Sequence, residues 1–304
     1  MARRASKDFE ASDRELYFPV VVISDLHLGM IGVQAEMLYE FLSHVRCDKL
    51  IINGDMIDGY RLNRRNGERA FPEMHARVMD VINRRIAEGT EVYYVPGNHD
   101  AGLRESGVID KNMYGVHFAD PLIFEDPKGR RIAVVHGDIF TGKIENRILH
   151  SASLRASDVL ALANKAVDKV ASKVTGRHVA PVARLWEKGQ RHIALCDEFR
   201  DAALNFMREH HADAVFTGHI HLPELTRTTE GMYGNSGDWV DNCTALVMDE
   251  DGEWRLFDWL KERHALELGE APTSRQSNPD RDFREQTEKQ LAAIKQLWPG
   301  KEPR

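Results

Sequence analysis

The chain has 304 residues, 42% of them hydrophobic and 29% charged, with a formal net charge of -7. This balance excludes a disordered or fibrous chain, and it provides no overall basic field to draw in nucleic acid. Three scattered cysteines, Cys47, Cys196 and Cys243, exclude a disulfide framework and a thiolate zinc site, and no apolar run reaches the roughly 18 residues of a membrane span.

Residues 1–15 are polar, and their basic residues are followed by no apolar stretch. No secretory signal is therefore expected, and the chain is placed in the cytoplasm. Five short, β-branched apolar runs follow, each fitting a strand buried on both faces: Pro19 to Ser24, Leu50 to Asn53, Glu91 to Pro96, Arg131 to Val135 and Asp213 to Thr217. Gln34 to Val45 and Glu73 to Ala87 carry apolar residues at helical spacing, the second closed by Gly89. Alternating strands and helices predict an α/β layered architecture. Later, Met232 to Asn235, Cys243 to Met248 and Trp254 to Trp259 read as successive strands, with turns at Gly231, Gly234 and Asp251-Gly252. Together with Gly115 to Glu125 they predict a second, partly antiparallel sheet.

Residues 143–200 carry no strand signal and are strongly helical in pattern, with Val159, Leu160, Ala163, Val167 and Val170 on one face. They read as a cap inserted over the functional end. Within it, residues 165–192 hold seven basic residues against two acidic ones, Asp168 and Glu187. The plain reading is a solvated helix face. The sharper one is a basic rim that gathers phosphate groups or an anionic membrane surface. The polar tail from about residue 263 ends in a short charged helix near Phe283 to Trp298 and is expected to be loose. The division is thus a core of 16–142 and 201–262, a cap of 143–200 and a tail of 263–304.

The chemistry follows the strands. The first run is followed by Asp25-Leu26-His27, the second by Gly54-Asp55-Met56-Ile57-Asp58 and the third by Gly97-Asn98-His99-Asp100. The fourth is followed by His136-Gly137-Asp138 and the fifth by Gly218-His219-Ile220-His221. In open α/β sheets functional groups gather beyond the carboxyl ends of strands. A single Asp-x-His is common by chance, but five such endings in order are not. Imidazole and carboxylate without sulfur favour Mn, Fe, Zn or Co. Seven candidate ligands, Asp25, His27, Asp55, Asn98, His136, His219 and His221, exceed one ordinary site and suit two sites sharing a carboxylate.

The order DxH, GDxxD, GNHD, HGD, GHxH resembles the calcineurin-like metallophosphoesterases over roughly residues 18–262. Within them, Asp25-Leu26-His27-Leu28-Gly29, Asp58-Gly59-Tyr60-Arg61-Leu62 and Gly237-Asp238-Trp239-Val240 are most similar to the UDP-2,3-diacylglucosamine diphosphatase homologues. The resemblance implies a four-layer α-β-β-α sandwich with a helical cap insertion. It implies a first metal on Asp25, His27 and His221, a second on Asn98, His136 and His219, and Asp55 bridging both. His99 would protonate the leaving oxygen, with Asp58 orienting its ring, while Asp100 and Asp138 support the site. The cofactors implied are two divalent metal ions, manganese first and iron or zinc as alternatives. Two such ions clamp both oxygens of an in-line displacement and activate a water. Arg61 is the best candidate for a substrate phosphate contact, ahead of Arg64 and Arg65.

The implied substrate is a phosphate-containing small molecule or a lipid-linked nucleotide, cleaved at the inner membrane surface to UMP and a lipid phosphate. One departure stands out: the established diphosphatases carry arginine where this chain has His99. The departure leaves room for another pyrophosphate or phosphodiester substrate. Nuclease activity is the second reading, disfavoured because the basic stretch 165–192 of the cap offers only Trp186 for base stacking. A metal-binding interaction protein without activity is the third.

Overall fold

The computed structural model describes residues 15–58, 71–140, 194–267 and 289–290. The residues proposed as the cap lie outside these up to Ile193, as do Arg61, Arg64, Arg65, the basic rim and most of the tail.

Two mixed sheets pack face to face. Strands β1 (Leu16–Ile23), β2 (Val45–Asn53), β3 (Glu91–Val95), β4 (Asn112–Met113) and β5 (Val116–Phe118) share one sheet with β11 (Thr244–Met248) and β12 (Trp254–Asp258). Its order is β12-β11-β1-β2-β3-β5-β4, with β1, β2, β3 and β5 parallel. The second sheet holds β6 (Leu122–Glu125), β7 (Arg131–Val134), β8 (Ala214–Thr217), β9 (Glu224–Arg227) and β10 (Met232–Asn235), in the order β6-β7-β8-β10-β9. Helices α1 (Ala35–His44) and α2 (Glu73–Ala87) cover the outer face of the first sheet, and α4 (Ala194–Glu209) covers the second. A short α3 (Gly102–Glu105) follows β3, and α5 (Trp259–Glu267) follows β12.

The four-layer order is written in the alternation of each strand. In β1, Val20 and Val22 enter the core between the sheets, while Val21 and Ile23 face α1 and α2. In β2, Ile51 points between the sheets, and Leu50 and Ile52 point toward the helices. Successive side chains of a strand face opposite sides, so a strand in the middle of this stack must be apolar throughout. Each such fully buried aliphatic side chain contributes about 1.5–3 kcal/mol. Behind the second sheet, Phe199, Ala203 and Met207 of α4 pack on Val135, Val215 and Tyr233.

Several expectations change. The five strands that carry the motifs do not share a sheet: three belong to the seven-stranded sheet, and β7 and β8 to the five-stranded one. The later strands do not form a sheet of their own either, since β10 joins the second sheet while β11 and β12 extend the first. Gly234 is no turn. It sits inside β10, where an added Cβ would come 2.8 Å from both Leu246 and Phe216, so its bareness lets the sheets close. Trp259 opens a helix rather than ending a strand. The expected boundary at residue 200 falls within α4.

Candidate metal centre

The two sheets present the ends of their parallel strands at one edge. Asn53, the last residue of β2, ties them there: its side-chain amide donates to Val135 O (3.2 Å) and Phe216 O (3.4 Å), beside β7 and in β8. The loops after β1 and β2 run side by side. Asp25 N donates to Gly54 O (3.1 Å), His27 N to Asp55 O (2.8 Å) and Leu28 N to Met56 O (2.8 Å).

Each carboxylate spends one oxygen on the backbone and turns the other to the centre. Asp55 Oδ1 accepts from His99 N at 2.8 Å, and Asp25 Oδ2 accepts from His219 N at 3.0 Å. The free oxygens meet imidazoles. Asp55 Oδ2 lies 3.4 Å from His136 Nε2 and 3.9 Å from His27 Nε2. Asp25 Oδ1 lies 3.1 Å from His221 Nε2, yet it is buried and accepts no hydrogen bond of good geometry. His27 Nε2 and His221 Nε2 are 3.3 Å apart. Across Asp55, the Asn98 side-chain oxygen sits 2.8 Å from His219 Nδ1 and 3.2 Å from His136 Nε2.

All seven expected ligands therefore come together. Donor atoms of Asp25, His27 and His221 lie within 4.8 Å of one another, as do those of Asp25, Asp55 and His136, and those of His27, Asp55 and His99. A buried carboxylate oxygen without a hydrogen bond and two imidazole nitrogens facing each other are what a cation satisfies, and the mixture of imidazole, carboxylate and carboxamide suits an intermediate divalent ion. The residues fit the expected metals.

The backbone is bent to this purpose. Asp25, His27, Asp55, His219 and His221 all have positive φ, between 45° and 67°. Such left-handed residues cost of order 1–3 kcal/mol each unless the surroundings hold them, and they cluster at functional sites. Two glycines clear the space. A Cβ on Gly54 would stand 2.2 Å from the His136 ring, and one on Gly97 would stand 2.1 Å from Asp55 Oδ1.

Electrostatics divides the histidines. Burial opposes the protonated form of His136, but Asp55 and then Asp25 raise it to about 10. Burial likewise opposes His221, and Asp25 raises it to about 9. Burial and the neighbouring His99 charge press His27 down to about 4, and burial with His136 does the same to His219. Burial would raise Asp25, yet His221 and His136 hold it at about 2. His99 also titrates high: burial works against it, but Asp55 and Asp58 raise it. Its Nδ1 lies 3.4 Å from Asp58 Oδ1.

The supports are partly unforeseen. Asp100 accepts from the Tyr94 hydroxyl, from Gly97 N and from Met56 N, joining the loops after β2 and β3. Asp138 pairs with Arg104, whose Nη1 and Nη2 stand 2.7 and 3.0 Å from its oxygens. Arg104 also donates to Asp120 and to Pro96 O, so one guanidinium fastens the loops after β3 and β7. Nothing in the sequence marks Arg104, because its partners are 8, 16 and 34 residues away. Asp238 collects the backbone N–H groups of Val240 and Asp241, and its Oδ2 lies 3.9 Å from His221 Nδ1. Asn242 adds a bond to His221 O at 3.0 Å. The only sequence signal for Asp238 was its place in Gly237-Asp238-Trp239-Val240.

The family profile described as calcineurin-like phosphoesterase matches residues 18–223, more than half of the chain. The chain belongs to the calcineurin-like phosphoesterase family. Family membership and the Asp/His clusters make it a metal-dependent phosphoesterase. Among solved structures it is similar to wild-type Vps29 of Entamoeba histolytica complexed with zinc, at 14% identity over 79% of this chain and 98% of that one, TM-score 0.35. It is similar at the same identity, coverage and TM-score to the Escherichia coli phosphoesterase YfcE. An archaeal phosphodiesterase matches at 12% identity over the same shares, TM-score 0.37. No curated protein matches the chain. Among the described residues, no helix of this phosphoesterase is long and apolar enough to cross a membrane.

Proposed function

We propose that this phosphoesterase uses two divalent ions to hydrolyse the pyrophosphate of a lipid-linked nucleotide, of the type of UDP-2,3-diacylglucosamine, to UMP and a lipid phosphate. The observation that carries the two-ion reading is the position of Asp55, whose outer oxygen stands between His136 Nε2 at 3.4 Å and His27 Nε2 at 3.9 Å. Asp25, His27 and His221 would hold one ion and Asn98, His136 and His219 the other, with Asp55 as the carboxylate available to both. When bound, the ions lower the pKa of a water and neutralise charge on the phosphoryl oxygens.

The chain's own groups do the rest. Asp58 beside Nδ1 keeps a proton on that nitrogen, so His99 presents Nε2 to the leaving oxygen. Burial works against a charge on His99, but the pull of Asp55 and Asp58 favours its protonated form, the form a general acid requires. Asp238 and Asn242 hold His221 from behind. The neutral oxygen of Asn98 limits negative charge facing an anionic substrate. The nucleotide-lipid substrate is supported by the sequence segments 25–29, 58–62 and 237–240. The basic stretch 165–192 and Arg61 would receive its phosphates, manganese is the first choice of metal, and the cytoplasmic face of the inner membrane is the place of action.

The test is one set of assays on the full chain loaded with manganese. Release of UMP from UDP-2,3-diacylglucosamine is expected. Cleavage of bis-p-nitrophenyl phosphate without UMP release would keep the phosphoesterase and discard the lipid substrate. Digestion of single-stranded DNA in its place would favour a nuclease, and inactivity on all three with metal bound would favour an interaction protein.

A further inference from the structure

The donors of the second ion come from both sheets. Asn98 stands on the loop after β3, in the first sheet, and His136 on the loop after β7, in the second. Asn98 Oδ1 and His136 Nε2 are 3.2 Å apart. The core between the sheets is apolar, and apolar attraction has no direction. It brings the sheets together without aligning two loops at their edge. Directional bonds must do that. Asn53 supplies them from the end of β2.

Arg104, in α3, supplies them beside Asn98 and His136. A guanidinium carries five N–H donors, and here each has an acceptor. Two acceptors are in the β3 loop: Pro96 O, 2.6 Å from Nη2, and Gly97 O, 3.5 Å from Nη1. Three belong to the second sheet. Nε donates to Asp120, just before β6, and the fork of Nη1 and Nη2 takes the two oxygens of Asp138, just after β7, at 2.7 and 3.0 Å. Gly97 is next to Asn98 in the chain, and Asp138 is two residues beyond His136. Arg104, Asp120 and Asp138 are all partly buried, and a paired, charge-assisted fork is among the strongest and most direction-specific contacts a side chain makes.

We propose, resting on the two-ion reading of Asp55, that Arg104 is the positioning residue of the second ion: its fork holds the β3 loop against Asp120 and Asp138 and so sets the spacing of Asn98 and His136. A lysine keeps the charge but has no planar fork, so it cannot hold both loops at once. Asp25, His27 and His221 stand on the loops after β1 and β8, to which the spent donors of Arg104 give nothing. Loss of the fork should therefore fall on one ion and spare the other.

The test uses the full chain loaded with manganese and then dialysed. The natural chain should keep two ions by elemental analysis and give the paramagnetic resonance signal of a coupled manganese pair. Arg104→Lys should keep one ion, give the signal of an isolated manganese and bind the second about 10–100-fold more weakly, the scale for a residue behind a ligand. Asp120→Asn, which weakens one partner of the guanidinium, should loosen the same ion by a smaller factor, and it decides the matter should Arg104→Lys not fold. Arg130→Lys is the structural control. Arg130 stands at the opposite end of β7 and donates to Asp126 at 2.7 Å, so this change should lower the melting temperature and leave both ions in place. Two ions held with equal affinity by the natural chain and the folded variants would overturn the positioning role and leave the two-ion reading standing. Loss of both ions together in Arg104→Lys would overturn it as well. Fewer than two ions on the natural chain would remove the two-ion reading, and the role of Arg104 with it.

Discussion

The donors on the two sides of Asp55 are held very differently. On one side His136 is fully buried, its Nδ1 is 2.8 Å from Asn53 O, and the bare face of Gly54 packs on its ring. On the other, the His221 side chain is 36% exposed, and its Nδ1 is 3.9 Å from Asp238. His136 is fixed by the junction of the two sheets. His221 stands on a loop of left-handed residues, which it shares with His219, and opens to solvent. A rigid donor fixes geometry before the ion arrives, whereas an exposed one yields as ligands exchange. His136 should therefore govern metal retention more than His221 does.

The comparison breaks first at its centre. Asp55→Ala should remove both ions and abolish activity, measured by elemental analysis and phosphodiester hydrolysis; retention of two ions per chain would show that Asp55 does not join the sets. His136→Ala should next lose metal on dialysis that His221→Ala still retains, and equal losses would erase the distinction. His99→Gln should keep both ions while turnover falls about 10²–10⁴-fold, the usual contribution of a general acid. Asp238→Ala should lower activity or metal affinity by about 10–100-fold, the scale for a residue behind a ligand, and Asp238→Asn should recover part of it.

The smallest effect is on pH. His136 and His221 are raised to about 10 and about 9, so in metal-free protein at pH 7 both carry protons that a metal must displace. Metal uptake at pH 7 should release about two protons, and affinity should climb as pH rises toward 9–10. Calorimetric titrations in buffers of different ionisation enthalpy would measure this. An affinity that does not change between pH 7 and 9 would show that these imidazoles are already neutral.

The donors were legible because each stands directly after an apolar run, where a strand ends and the chain must turn. Asp25, Asp55, Asn98, His136 and His219 all follow that rule, and family resemblance ordered them into two sets. The supports were not legible. Arg104 looks like any surface arginine of a short helix until Pro96, Asp120 and Asp138 are brought around it. Tyr94 looks like an ordinary strand aromatic until its hydroxyl meets Asp100.

Local pattern, then, was enough to place strands, helices and metal-seeking side chains in this chain, because burial on two faces and tight turns leave a signature within a few residues. Which strands became neighbours was decided elsewhere. Met232–Asn235 and Thr244–Met248 are both short and wholly buried, yet one pairs with β8 and the other with β1. That choice depends on hydrogen bonds and packing between residues far apart in the chain, and so does the meeting of Asp55 with the imidazoles on either side of it.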